Sequence, residues 1–502
     1  MGRHRFVSHR GEQCRLATEM PIERGLLDAE PLRQPPCADG IEADLIEQIK
    51  RFGNDGFAIH FGHVDNLSLI DNSARKSISD KLRVAFMNNR TESKLLKILI
   101  CGGGCGGPAL AYWLARAGHR VVVVERFPAL RASGAQVDLR GQGIEAIRRM
   151  GLLDIVRSRL VDEAGVAFVD AQGKLKATIM ANTSGRGAQS LTSEYEIMRG
   201  DLVRILHDAT KGDAEYVFDK SVERFEQDDR QVIAHYSDGT FDTFDLLVGA
   251  DGQGSRIRKA ILPPKSADPI RRMGMHMAYW FIPRTETDNN IRRTYNAAGG
   301  RMVFRRSHSS TETQVCFTLR DDSEQASAIH RAPVEQQKQF WTDTFRDAGW
   351  QTSRFLDGMK TTENFYSQEV VQVRTDTWYD GRVVLVGDAA HCPSPFSGMG
   401  VSGALVGAYV LAGELNRNTQ NLPQAFANYD KKLRPFVNEI QDLSPFLLRL
   451  GLPETRWGIA VLHAAASLAC FLRIPDLVSR LSARDRGGSW PLPDYPELKP
   501  SP

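Results

Sequence analysis

An α/β fold, α+β overall, is expected from three observations. An apolar run, Lys97-Ile98-Leu99-Ile100-Cys101, enters a glycine cluster, then a helical run, then a second apolar run ending in an acid. Two later apolar runs each end in glycine and aspartate, Val248-Gly249-Ala250-Asp251 and Val386-Gly387-Asp388. Between them, residues 265–372 show short alternating patterns broken by the pair Gly299-Gly300, the mark of antiparallel hairpins.

Composition agrees with a globular chain. Hydrophobic residues make up 42% and charged residues 25% of the 502. The net charge is only +3, which gives no electrostatic reason to expect a nucleic-acid partner. Length at about 150 residues per domain suggests about three domain-sized units. The seven cysteines are scattered and form no Cys-x-x-Cys, so neither a disulfide framework nor a metal site is expected, and a reducing, cytoplasmic setting fits.

The first element carries the most information. Gly102, Gly104 and Gly107 match G-x-G-x-x-G, a helical run follows, and Val121-Val122-Val123-Val124 leads to Glu125, 23 residues after Gly102. This is the dinucleotide unit of a Rossmann-like domain. Gly102 permits the tight turn, Gly104 lets backbone approach a pyrophosphate, and Gly107 lets helix and strand pack closely. Helix N–H groups then face the phosphates. Glu125 can accept the ribose hydroxyls, and Arg126 follows it. Asp251 and Asp388 lie where parallel strands end on a ligand crevice, although each can also cap the turn or helix that follows. His391 and Cys392 beside Asp388 read as a packed loop histidine and a buried thiol.

With these three ordered motifs, residues 97–440 resemble the group A flavoprotein monooxygenases of the para-hydroxybenzoate hydroxylase fold. Within that group the chain is similar to the tetracycline-inactivating and fungal secondary-metabolite enzymes. The resemblance implies FAD as cofactor and NADPH or NADH as co-substrate. It places Glu125 at the adenosine ribose, Asp388 at the ribityl chain, and Pro395, Gly398 and Gly400 along the isoalloxazine. Asp251 and Gly252 fall near the pyrophosphate and the path of the pyridine nucleotide. Arg199, in Met198-Arg199-Gly200-Asp201-Leu202, matches the family's Arg-x-x-Leu contact with the cofactor, and Arg140 is a further carry-over. Many relatives have Asn at the place of Ser402 and Asp near the place of Gly407.

Only one G-x-G-x-x-G is present, which argues against enzymes built on two dinucleotide folds. The reaction implied is oxygen transfer from O2, through a flavin C4a-hydroperoxide, to an aromatic or polyketide-type small molecule. No acid–base catalytic residue is assigned, because the cofactor carries the hard chemistry. The rivals are a flavin oxidoreductase that desaturates or cyclises without inserting oxygen, and a flavin-binding protein without turnover. Ala278-Tyr279-Trp280-Phe281-Ile282-Pro283 partly matches the flavin halogenase motif, but Ala278 replaces its first Trp and the catalytic lysine has no counterpart.

The expected organisation is discontinuous. Residues 96–175, 197–264 and 373–440 form the FAD-binding domain, and 176–196 and 265–372 the substrate domain. In the latter, Met273, Met275, Met277, Tyr279, Trp280 and Phe281 form an apolar, aromatic run whose alternate residues face one side of a strand, so one face is available for a flat apolar ligand. Residues 1–95 are read as an N-terminal extension, either ahead of a working start at Met87 or as an ordinary variable arm. Residues 441–502 form a helical region with a proline-rich tail expected to be loosely ordered. Residues 457–474 are marginal for crossing a bilayer and are expected to pack or lie on a surface.

Overall fold

The computed structural model describes residues 94–130, 134–181, 194–472, 474 and 488–498. Every described element lies in one compact unit, Ser93–Pro502. The expectations for the extension before Lys94 and for 182–193 lie outside the described residues.

A six-stranded sheet runs in the order Tyr379–Asp380, Val383–Leu385, Leu246–Gly249, Lys97–Cys101, Arg120–Val124, Glu215–Val217, parallel except at the first pair. Its four central strands are rich in Val, Ile and Leu because both faces are covered there. The helix Gly106–Arg116 packs on it and on the long helix Gly400–Arg417, whose residues 402–415 are all buried. The four central strands include the three that the sequence motifs mark, each ending at its glycine motif, as a Rossmann-like sheet requires.

A seven-stranded sheet follows the order Tyr366–Val373, Ile270–Pro283, Glu312–Arg320, Arg301–Ser307, Ile291–Ala297, Gly165–Val169, Leu175–Met180. The hairpin at Gly299-Gly300 is present, both glycines at positive φ. The expected boundary at 175 falls inside this sheet. Gly165–Val169 pairs in parallel with Ile291–Ala297, a partner more than a hundred residues away that no local pattern announces. One face of the sheet is sealed by the helices Val334–Phe345 and Thr352–Thr361, with Trp280, Phe317, Trp341, Phe345 and Phe355 fully buried between them.

The described part of the tail corrects an expectation. Residues 488–498 are packed, with Leu492, Tyr495 and Leu498 buried in the main core. The prolines exclude regular ladders, but an extended chain still buries its large side chains. Tyr495 donates to Glu414 at 2.6 Å, and Arg149 donates to the Pro493 carbonyl at 2.6 Å. The helix Arg456–Phe471 lies along Leu175–Met180, with Trp457 and Phe471 on the outside at 77% and 83% exposure. No helix among the described residues is long and apolar enough to cross a membrane.

Candidate functional site

The glycine cradle sits where Lys97–Cys101 ends. Gly102 has φ +120°, and a Cβ there would lie 2.4 Å from the Ala250 carbonyl oxygen. At Gly107 a Cβ would lie 2.0 Å from the Gly102 oxygen, so the turn closes only with hydrogen at both positions. Gly104 differs. Its Cβ position meets only Arg199 Nη2, at 3.4 Å, and opens onto that guanidinium. Glu125 grips the cradle from the side: Oε2 accepts from the Gly103 amide at 2.7 Å and Oε1 from the Phe127 amide at 3.1 Å.

Asp251 accepts from the Arg256 amide at 2.8 Å, at the start of the short helix Arg256–Ile261 whose N-cap is Ser255. Its other oxygen, Oδ1, is buried and has no partner among the described residues. Arg258, which no sequence motif marks, fixes this loop to the next. It is fully buried and donates to the carbonyls of Ala389 at 2.8 Å and Gln253 at 2.5 Å. An arginine between Ile257 and Ile261 in the turn after Asp251 was the available signal.

Asp388 opens the turn Asp388–His391, after Gly387 at φ +63°. Burial pushes its carboxyl up, while the Arg199 guanidinium and the Cys392 thiol pull it back. The same Arg199 and Asp388 act oppositely on Cys105, whose thiol is held above its ordinary range by burial. Gly104, Cys105, Arg199 and Asp388, from three distant segments, thus meet at one place.

The loop after Asp388 is shaped by Ser394 at φ +83° and Gly398 at φ +65°. Ser397 donates to the Ser394 carbonyl at 2.8 Å and accepts from the Met399 amide at 3.0 Å. The helix starting at Gly400 follows, so its free amides border the site. Arg140 is paired with Asp138 at 3.1 Å, and both stand against Gly398. Ser402 accepts from the Arg140 amide at 3.0 Å, which gives the departure from Asn a structural purpose. Gly407 packs on His391, 3.2 Å from Cβ position to Nε2. Arg126 lies over the Phe127 ring, 5.0 Å from its centroid. Gly252, at φ +82°, has open space around it.

His391 and Cys392 do not pair. Cys392 donates to the Val371 carbonyl at 3.9 Å, and His391 Nε2 has no partner among the described residues. Burial pushes His391, and likewise His119, down to about 4. Between that value and the ordinary 6.5 the unfolded chain binds more protons than the folded one. Their contribution to stability is therefore full above about pH 6.5 and is lost as pH falls toward about 4. Denaturation midpoints should drop over that window, and His391→Leu should flatten the drop; an unchanged slope in the variant rejects the assignment.

The FAD binding domain family model matches residues 96–444. The chain belongs to the FAD-binding monooxygenase family. It is 38% identical over 425 residues to the FAD-dependent monooxygenase asL4 of Sarocladium schorii, covering 80% of this chain and 99% of that protein. It is 38% identical over 429 residues to the flavin-dependent monooxygenase eupH of a Phoma species, covering 81% and 99%. Among solved structures it resembles tetracycline destructase Tet(51), with TM-score 0.66, 31% identity, and 80% and 99% coverage. FAD is the cofactor of this monooxygenase, and the cradle suits it: Gly104 opens where Gly102 and Gly107 close, and Asp251 Oδ1 waits for a donor.

Proposed function

We propose that this monooxygenase transfers one oxygen atom from O2 to an aromatic or polyketide-type small molecule, with NADPH or NADH as electron donor, in secondary metabolism. The product is a hydroxylated, epoxidised or dearomatised ring. The observation that carries this is an apolar cluster between sheet and loop. Met273, Met275, Met277 and Met302 of the seven-stranded sheet pack with Phe396 of the Pro395–Gly400 loop and with Leu448 and Leu452. A ring-sized ligand held there lies beside the segment assigned to the isoalloxazine.

Bound FAD supplies the redox chemistry that activates O2. The chain's residues hold and orient. Gly102, Gly104 and Gly107 cradle the pyrophosphate and Glu125 takes the adenosine ribose. Asp251 and Gly252 flank the pyrophosphate, Asp388 takes the ribityl hydroxyls, and Arg199 neutralises charge between Gly104 and Asp388. Pro395, Gly398 and Gly400 present backbone to the isoalloxazine, and the Arg140–Asp138 pair supports the Gly398 turn. The methionines and Phe396 keep water away from the reacting centre.

Asp388→Ala should weaken FAD retention by about 1.5–3 kcal/mol, the worth of a hydrogen bond to a charged group. Equilibrium dialysis against FAD measures it, and unchanged retention contradicts the ribityl role. Turnover of candidate phenols under ¹⁸O2 tests the reaction. Product carrying ¹⁸O supports it; unlabelled product would favour the desaturating or cyclising alternative.

A further inference from the structure

The sheet face that looks toward Phe396 is not uniformly apolar. Register places Met277, Thr318, Met302 and Asn296 side by side across four strands. The next row is Tyr279, Cys316, Phe304, Thr294 and Phe168. A third holds Phe281, Gln314 and Arg306. Side chains two residues apart share a face, so these rows continue the methionine cluster.

Four polar side chains in these rows are almost fully buried: Thr294 and Asn296 at 2% exposure, Gln314 at 1% and Thr318 at 0%. Thr294 Oγ1, Asn296 Oδ1 and Gln314 Nε2 have no partner among the described residues, and Thr318 Oγ1 has only the weakly accepting Cys316 sulfur beside it. Asn296 spends its amide nitrogen on the Gly451 carbonyl at 3.0 Å, which leaves its oxygen unmatched. Buried polar groups are normally satisfied, and an orphan destabilises the fold. Four poorly satisfied groups on one face of one sheet are explained together by a ligand that satisfies them.

The charges narrow the ligand. The acids Glu163 and Glu196 are both tied to Arg306. Arg292, on the strand beside it, stacks its guanidinium 4.0 Å from the Phe304 ring centroid and has an unmatched Nε. Resting on the monooxygenase reading above, we propose that Thr294, Asn296, Gln314 and Thr318 are the specificity-determining contacts for a ring compound bearing hydroxyl or carbonyl oxygens along one edge. Its apolar face lies on Met277 and Met302. An unsubstituted hydrocarbon leaves the polar row unmatched and is rejected.

The test uses the holoenzyme. 1,3-Dihydroxynaphthalene and naphthalene are titrated anaerobically, and binding is read from the flavin absorption spectrum. The diol should bind at least tenfold more tightly. The double variant Thr294→Val, Thr318→Val should reduce that preference to threefold or less while naphthalene affinity stays within twofold. Without ligand, the variant should melt about 2–4 °C higher, because one unmatched and one weakly matched hydroxyl are gone. A preserved preference in the variant, a melting point lowered by that amount, or a wild-type enzyme that binds naphthalene equally well or binds neither probe overturns the proposal. Wild-type protein that retains FAD, is reduced by NADPH and lacks the preference fails only this inference. Wild-type protein that retains no FAD fails the reading beneath it.

Discussion

Gly104→Val should fold normally and lose FAD by a thousandfold or more, a loss of about 4 kcal/mol or greater on the tenfold-per-1.4 scale. The separation of folding from binding is what the geometry offers here. A Cβ at Gly104 meets only the far end of Arg199, a flexible side chain, at 3.4 Å. The protein can absorb that contact. The valine methyls then stand where backbone must approach the pyrophosphate. Gly107→Val is the matched contrast. Its Cβ would sit 2.0 Å from a backbone carbonyl, so the turn itself must open, and little folded protein is expected. Circular dichroism with flavin content distinguishes the two. Gly104→Val protein that purifies with full FAD contradicts the cradle.

Arg306→Met should lower stability by about 3–5 kcal/mol, the usual consequence of removing one partner from a buried ion pair. Arg306 joins the seven-stranded sheet to Glu163 at 2.9 Å and to Glu196 on the small strand Glu196–Met198. Both carboxylates are buried, at 7% and 2% exposure, and Glu196 already has one oxygen without a partner among the described residues. Without the arginine, two acids are left in apolar surroundings with no countercharge. Combining it with Glu163→Gln and Glu196→Gln should recover part of the loss, because amides tolerate burial better than lone carboxylates. Urea denaturation measures both. A single variant within about 1 kcal/mol of the parent contradicts the buried-charge origin of the effect.

The cradle was legible because its meaning is local. Strand, glycine turn, helix and acid lie close together in the chain, and each glycine has a steric reason to be there. The hairpin at Gly299-Gly300 and the alternation from Met273 to Phe281 were legible for the same reason. Long-range pairing could not be read. No pattern shows that Gly165–Val169 pairs with Ile291–Ala297, or that Arg258 bridges the Asp251 and Asp388 loops. The fate of the proline-rich tail was misread because proline content reports on ladders, not on the burial of Tyr495. The polar row was hidden as well: Thr294 and Thr318 become neighbours of one surface only once the strands are in register.

We propose that three distant segments, around Gly104, Arg199 and Asp388, close on a single FAD. Stripping the wild-type chain of flavin, confirming its fold by circular dichroism, and titrating FAD by equilibrium dialysis tests this most directly. One FAD per chain is expected, with affinity reduced in Asp388→Ala and abolished in Gly104→Val. A folded chain that takes up no FAD, or takes it up equally in all three proteins, would contradict it.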